Sequence, residues 1–520
     1  MSERPSVVET PVGLLRVLSV TDLLLMALFV MSFGLKGLPA IIFSAYAFPN
    51  AHLLIGLIVM LAAATVFNLL YARLSSIAPK AGGDYIHVSR FLHPALGFAS
   101  SLNIVFINIL WFALSSVLTA YTLVLAVAGI GVALNNAELM TVSRTMLRDP
   151  YVIPAFALAM LLIYWLLSNL SIKLWKRLQM VAAIVAVIGI LSGVGVLGTV
   201  GKETAARAIA DTFGRGKATL LQLAYRAGYN PEVIDPLHVL GAASALGLVM
   251  LFSFYPVYFG GESSDRRFRS FAAAMVGASL ITAVLLAALI LPLYSVLGRE
   301  LPIAVGYLLM KAPSNIFVLL EYYIRMLEYL AFPPAVVVLL TISMIAWAFM
   351  LSLNLSLASS RCIFAWSLDG LAPLKLSYVT RRWNAPFYAN LVTLVSAIIL
   401  LLVVAVNRFL VIALFGSIAS LLVSMFLVSL TAVKISLRGG LLPEEAKAGT
   451  LILGVVSSIL TLLFLGFYLT NPRLGFLHPA TVSIFLGIWA AGFIWYLAAS
   501  RYRRRMGVNL DEILKEVPPG

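Results

Sequence analysis

Lys36 is the only formally charged residue between Asp22 and Arg73, and it stands in a long apolar run at SFGLKGLP, residues 32–39. A lysine in an apolar helix is costly unless its ammonium reaches water or a partner. Three chemistries follow: a cation that meets a substrate carboxylate, a group that occupies a cation site and titrates, or a side chain that snorkels to the outer surface. Gly34, Gly37 and Pro39 mark the same stretch as a place where a helix unwinds. A second interrupted stretch, SFYPVYFGG at residues 253–261, comes five apolar segments later. Unpaired backbone amides in a bilayer cost several kcal/mol, so such breaks persist only where the freed groups line a cavity or meet a ligand. Breaks at matching places in two halves of a chain point to the substrate site of a secondary transporter. The half-helix after each break offers N–H groups and a positive dipole end to a carboxylate, and the half before it offers carbonyls to an ammonium.

The elements that must position these stretches are membrane helices. With 62% hydrophobic and 11% charged residues over 520, the chain has more apolar surface than one soluble core can hide. Apolar runs of about 20 residues predict an all-α polytopic membrane protein. Its twelve spans fall near 18–46, 51–77, 97–130, 150–170, 178–200, 238–260, 270–297, 333–365, 386–405, 408–433, 449–470 and 477–500. The net charge of +15 is not gathered into one patch, which argues against a nucleic-acid partner. The basic residues instead mark alternate loops: Arg16, Lys80, Arg90, Lys173, Lys176, Arg177, Arg266, Arg267, Arg269, Arg381, Arg382 and Arg501 to Arg505. That asymmetry predicts a multi-pass protein of the cytoplasmic membrane, surrounded by lipid, with both termini inside. The first apolar run is too long for a signal-peptide core, so it is expected to remain.

Other chemistries find little support. Cys362 is the only cysteine, and His52, His87, His93, His238 and His478 are scattered, so no disulfide and no metal or cofactor site is expected. No G-x-x-x-x-G-K-S/T stretch is present, so ATP is not the expected energy source. Helix interiors nearly devoid of acids, histidines and metal ligands argue against an integral membrane enzyme. Two outer segments, 202–236 and 299–334, carry amphipathic patterns. They read as helices lying on the outer face, or, for the second, as a cap over the outer vestibule.

Three stretches carry a family resemblance: SIAPKAGGDYIHVSR at 76–90, FSFYPVYFGGESSDRRFR at 252–269 and SSRCIFAWSLDGLAP at 359–373, followed by Pro386. Together, in this order and at these spans, they resemble the amino acid, polyamine and organocation transporter superfamily over residues 14–435. The last two spans match it only in hydropathy. The resemblance implies a LeuT-like fold with a 5+5 inverted repeat and two further helices. The corresponding division is a cytoplasmic N-terminus at 1–17, a first repeat at 18–200, an outer loop at 201–237, a second repeat at 238–433 with an outer loop at 298–332, two helices at 434–500 and a cytoplasmic C-terminus at 501–520. Spans 1, 3, 6 and 8 then surround a site for an amino acid or related amine. The expected contacts are Ser32, Phe33, Gly34, Leu35, Lys36 and Gly37 from span 1, Asn108 and Trp111 from span 3, Phe252, Ser253, Phe254, Tyr255 and Pro256 from span 6, and Trp347 from span 8.

The same motifs suggest an inner gate. Gly82 and Gly83 permit a tight turn, and Asp84, Arg90, Arg361 and Asp369 are placed to pair across the inner mouth, with Glu262 expected to pair with Arg266 and Arg267. Coupling to sodium, coupling to a proton, and exchange all stay open. Ser352, Asn354 and Ser356 offer oxygens for sodium, or serve as glue between helices, and Lys36 is the titratable alternative. Phe33 and Lys36 in the first break, and Tyr255-Pro256 in the second, depart from the glycine-rich turns usual in the superfamily. They motivate a rival reading as a receptor or scaffold that binds without transporting.

Overall fold

The computed structural model describes residues 8–9, 13–199, 201, 203, 204, 207, 217–311, 333–406, 409–438 and 441–514. The first span begins at Ser19, whose hydroxyl accepts the Asp22 amide while the Asp22 carboxylate accepts the Ser19 amide at 2.8 Å. This reciprocal cap satisfies two donors that a helix start leaves open. The helix α1 (Val20–Met31) then stops at Ser32, which takes the left-handed conformation at φ 49° and ψ 58°. It resumes as α2 (Phe33–Ala47), bent from α1 by 43°. The break is therefore one residue wide.

There follow α3 (Leu53–Ile77), the short α4 (Asp84–Phe91), the 40-residue α5 (Pro94–Ala133), α6 (Ala137–Arg148), α7 (Val152–Ser168) and α8 (Ile172–Thr199). Next come α9 (Lys217–Arg226) and α10 (Pro236–Met250), which tightens into a 3₁₀ stretch over Leu251–Tyr258. Pro256 has no N–H to give to a regular ladder, and the stretch stays wound rather than opening into a loop. The remaining helices are α11 (Phe268–Pro292), α12 (Glu300–Lys311), α13 (Pro334–Leu368), α14 (Phe387–Val406), α15 (Phe409–Arg438), α16 (Glu444–Thr470) and α17 (Pro479–Arg505).

Among the described residues, nine helices are long and apolar enough to cross a membrane, and up to eleven if α1–α2 and α6–α7 each count as one span. The shorter apolar helix in α14 accounts for the one remaining expected span, that near 386–405. Leucine and isoleucine side chains such as Ile58, Ile399, Ile452 and Leu486 are exposed on the outside of this bundle. In a bilayer those faces meet lipid chains. Inside, α13 packs along both α5 and α8, and α1 lies against the 3₁₀ stretch and α11.

The sequence reading did not anticipate an antiparallel ribbon, Val8–Glu9 with Leu15–Arg16. Beyond it, the Val17 and Leu18 amides both donate to the Glu262 carbonyl at 3.0 Å, tying the N-terminal segment to the end of the sixth span. Both described ends of the chain sit at this end of the bundle: Asn384 Nδ2 donates to Gly13 O at 2.9 Å, and Arg503 Nε donates to Gly370 O at 3.0 Å. At the opposite end, α9 and α12 bury Leu220, Leu223, Leu301, Ala304 and Val305 together with Ile42 of α2. The amphipathic pattern at 315–332 lies outside the described residues.

Candidate functional site

The break in the first span leaves carbonyls at the end of α1 without the amides that a continuous helix would supply. Lys36, on the first turn of α2, answers one of them: its Nζ donates to Val30 O at 2.9 Å. The same ammonium lies 4.1 Å from the ring centroid of Phe252 and 4.8 Å from that of Trp111. Cation–π attraction to desolvated rings is about 2 kcal/mol, and a bond from a charged donor adds about 1.5–3 kcal/mol. Lys36 is 3% exposed, and its ammonium turns back toward the break. It does not snorkel outward.

Trp347 of α13 closes the other side. Its ring meets Phe29 at 5.1 Å and Phe33 at 6.4 Å, and a Cβ on Gly34 would stand 2.5 Å from Trp347 Cγ. Gly34 is thus required for close approach of the indole, not only for backbone freedom. On the facing side the Tyr255 hydroxyl donates to Asn108 Oδ1 of α5, and Phe252 lies 5.8 Å from Tyr255 and 6.4 Å from Trp111. Three buried polar atoms around the break, Ser32 Oγ, Asn108 Nδ2 and Trp347 Nε1, make no hydrogen bond. Such groups are costly unless a ligand or water meets them.

Not every expected contact converges here. Ser253 Oγ donates to Asn68 Oδ1 of α3 at 2.8 Å, and Phe254 stacks on Tyr71 of α3 at 4.5 Å, so both side chains face α3. A 3₁₀ turn has three residues per turn, so Phe252 and Tyr255 share one face and the two residues between them leave it. Pro256 sits in the wound stretch, Leu35 is buried, and a Cβ on Gly37 would stand 2.9 Å from Phe33 Cδ2. Sequence reasoning missed Phe29 and the Val30 carbonyl. The carbonyl carries no sequence signal, because every residue type supplies one.

Ser352, Asn354 and Ser356 do not surround a common point. Ser352 Oγ donates to Ser115 Oγ of α5 at 2.7 Å, and Asn354 Oδ1 accepts from Trp175 Nε1 of α8 at 2.9 Å. Ser356 Oγ lies 3.4 Å from Ser168 Oγ of α7. Each oxygen links α13 to a different neighbour. At the end that holds the described termini, spans 1 and 5 are joined by Lys176 Nζ and Asp22 Oδ2 at 2.8 Å.

At the end that holds the described termini, four of the expected gate residues form two buried pairs. Arg90 Nη2 meets Asp369 Oδ1 at 2.6 Å, and Tyr85 donates to Asp369 Oδ2 at 2.5 Å. Arg361 grips Glu262 with two bonds, Nε to Oε1 at 2.9 Å and Nη2 to Oε2 at 3.2 Å. The expected partners of Glu262 are elsewhere: Arg267 pairs with Asp265 at 2.6 Å and Arg266 donates to Gly261 O. The turn at Gly260–Glu262 carries the Glu262 carboxylate into the bundle, away from the exposed run that follows. Asp84, expected to join these pairs, has no ionic partner among the described residues. Gly82 and Gly83 do form the tight turn, at φ 100° and 55°.

Residues 23–491 match a family model described as Amino acid permease. The match covers the first break, the 3₁₀ stretch and the gate residues, and it runs through α16 and into the first half of α17, beyond the stretch that the motifs alone suggested.

Proposed function

We infer that this chain, which belongs to the amino acid permease family, moves its substrate across the cytoplasmic membrane by alternating access, holding it between the two interrupted spans. Family membership makes it a multi-pass membrane transporter for amino acids or related compounds rather than an enzyme. The observation that carries the finer reading is the Lys36 ammonium, seated between the freed Val30 carbonyl and the Phe252 and Trp111 rings. A buried cation with no carboxylate beside it among the described residues, amid the unused donors of Ser32, Asn108 and Trp347, suits a substrate that brings a carboxylate.

In this reading the pairs Arg90–Asp369 and Arg361–Glu262 hold the inner mouth shut, and the N-terminal segment bonded to Glu262 moves with it. The cluster of α2, α9 and α12 forms the outer wall. The two five-helix halves act as inverted repeats of a LeuT-like fold, with both termini in the cytoplasm. Coupling runs through a proton rather than sodium, because the oxygens of Ser352, Asn354 and Ser356 are spent on contacts between helices. Purified protein in liposomes loaded with a mixture of L-amino acids should exchange them for labelled amino acids outside. An absence of exchange with every amino acid and amine offered sinks the reading.

A further inference from the structure

Asp84 opens α4, outside the spanning helices, yet its side chain is 1% exposed and neither carboxylate oxygen forms a hydrogen bond. Both gate arginines are taken, Arg90 by Asp369 and Arg361 by Glu262. The titratable groups that face it are Tyr71 from α3, Tyr255 and Tyr258 from the 3₁₀ stretch and Cys362 from α13. All are neutral at physiological pH. On its own helix Tyr85 is engaged by Asp369, and burial pushes the His87 imidazole down to about 4, so it too is neutral. A bare carboxylate in such surroundings costs several kcal/mol. Burial is the first cause that pushes the Asp84 carboxyl from 3.8 up to about 7. In this closed arrangement the acid form is therefore favoured below about pH 7.

The residues around Asp84 are clasped to the sixth span. The Gly82 amide approaches Tyr258 O at 3.4 Å, Ala81 bridges Phe259, and a Cβ on Gly83 would stand 2.6 Å from Val257 Cγ2. The same 3₁₀ stretch carries Phe252 and Tyr255 to Lys36 and Asn108. Separating residues 81–84 from residues 256–259 would admit water to the carboxyl and lower its proton affinity.

We propose that Asp84 is the proton-binding site of the transport cycle: protonated while the inner mouth is closed, it releases its proton to water on the side of the termini when the mouth opens. The O–H bond of the carboxyl breaks, the carboxylate remains, and the proton joins the water that enters. This rests on the transporter reading above, and the assay separates the two.

The test uses full-length protein in liposomes, an equimolar mixture of labelled L-amino acids as probe, and an imposed gradient of one pH unit. One proton per substrate then drives about tenfold accumulation. Wild type is expected to accumulate the probe, and Asp84→Asn to lose that accumulation. Asp84→Glu, which keeps the acid on a longer arm, is expected to accumulate with a displaced pH profile; it decides the matter where the Asn variant does not fold. Gradient-driven accumulation by Asp84→Asn, or an unshifted profile for Asp84→Glu, overturns the proposal. Exchange by wild type without response to the gradient overturns it together with proton coupling while leaving alternating access intact, and absence of both exchange and accumulation overturns both.

Discussion

Lys36 Nζ stands 2.9 Å from the carbonyl of Val30 and 4.1 Å from the ring centroid of Phe252, so one ammonium joins the two interrupted spans. Replacing it by methionine keeps most of the volume but removes both attractions. Because burying the charge was itself costly, Lys36→Met should leave the protein folded and change its melting temperature little. Exchange of carboxylate substrates should fall by roughly tenfold or more, the effect of losing about 1.4 kcal/mol. Exchange measured beside thermal melting checks this, and unchanged exchange removes Lys36 from the site.

Gly34 lies against the Trp347 indole, so even a methyl group there must displace a ring that is packed on all sides. Overpacking of this kind costs about 1–3 kcal/mol. Gly34→Ala should lower the melting temperature, and Gly34→Ala with Trp347→Leu should recover part of the loss. Additive losses would show that the two residues do not press on each other.

Glu262 and Arg361 are both almost fully buried and joined by two bonds. Removing one partner leaves an unpaired charge at a cost of about 3–5 kcal/mol. Glu262→Gln and Arg361→Gln should each destabilise strongly, and the double variant should lose much less than the sum. A double-mutant cycle by thermal or chemical unfolding measures this, and simple additivity contradicts the pair.

Asp84 gives stability a definite pH dependence. Its carboxyl affinity is raised from 3.8 to about 7 on folding. A raised carboxyl means that the folded state holds the proton more tightly than the unfolded chain, so its contribution is full below the unfolded value and is lost as pH rises through about 7. Melting temperatures of wild type should therefore decline between roughly pH 4 and pH 7, and Asp84→Asn should flatten that slope. Parallel slopes for the two proteins would contradict the burial of a neutral acid.

Much of this arrangement is legible in the sequence because a bilayer permits so few exceptions. A lysine, two glycines and a proline in one apolar run announce the first break, whereas the Tyr-Pro pair in the sixth span marks a change to 3₁₀ winding rather than an opened break. The spans follow from hydropathy to within a few residues. Partner choice is less visible. Glu262 is close in sequence to Arg266 and Arg267 but is turned inward by a short 3₁₀ turn, and so meets Arg361. Ser253 and Phe254 leave the site face because their stretch winds with three residues per turn, which composition alone does not announce. The Val30 carbonyl is invisible because backbone groups leave no trace in side-chain type.

The most direct test of the central claim is exchange by purified protein in sealed liposomes, measured beside thermal stabilisation by the same amino acids. The account predicts that amino acids which raise the melting temperature are also exchanged across the membrane, and that Lys36→Met diminishes both effects. Stabilisation by an amino acid with no flux of any kind would contradict it, and would instead describe a receptor built on a transporter's frame.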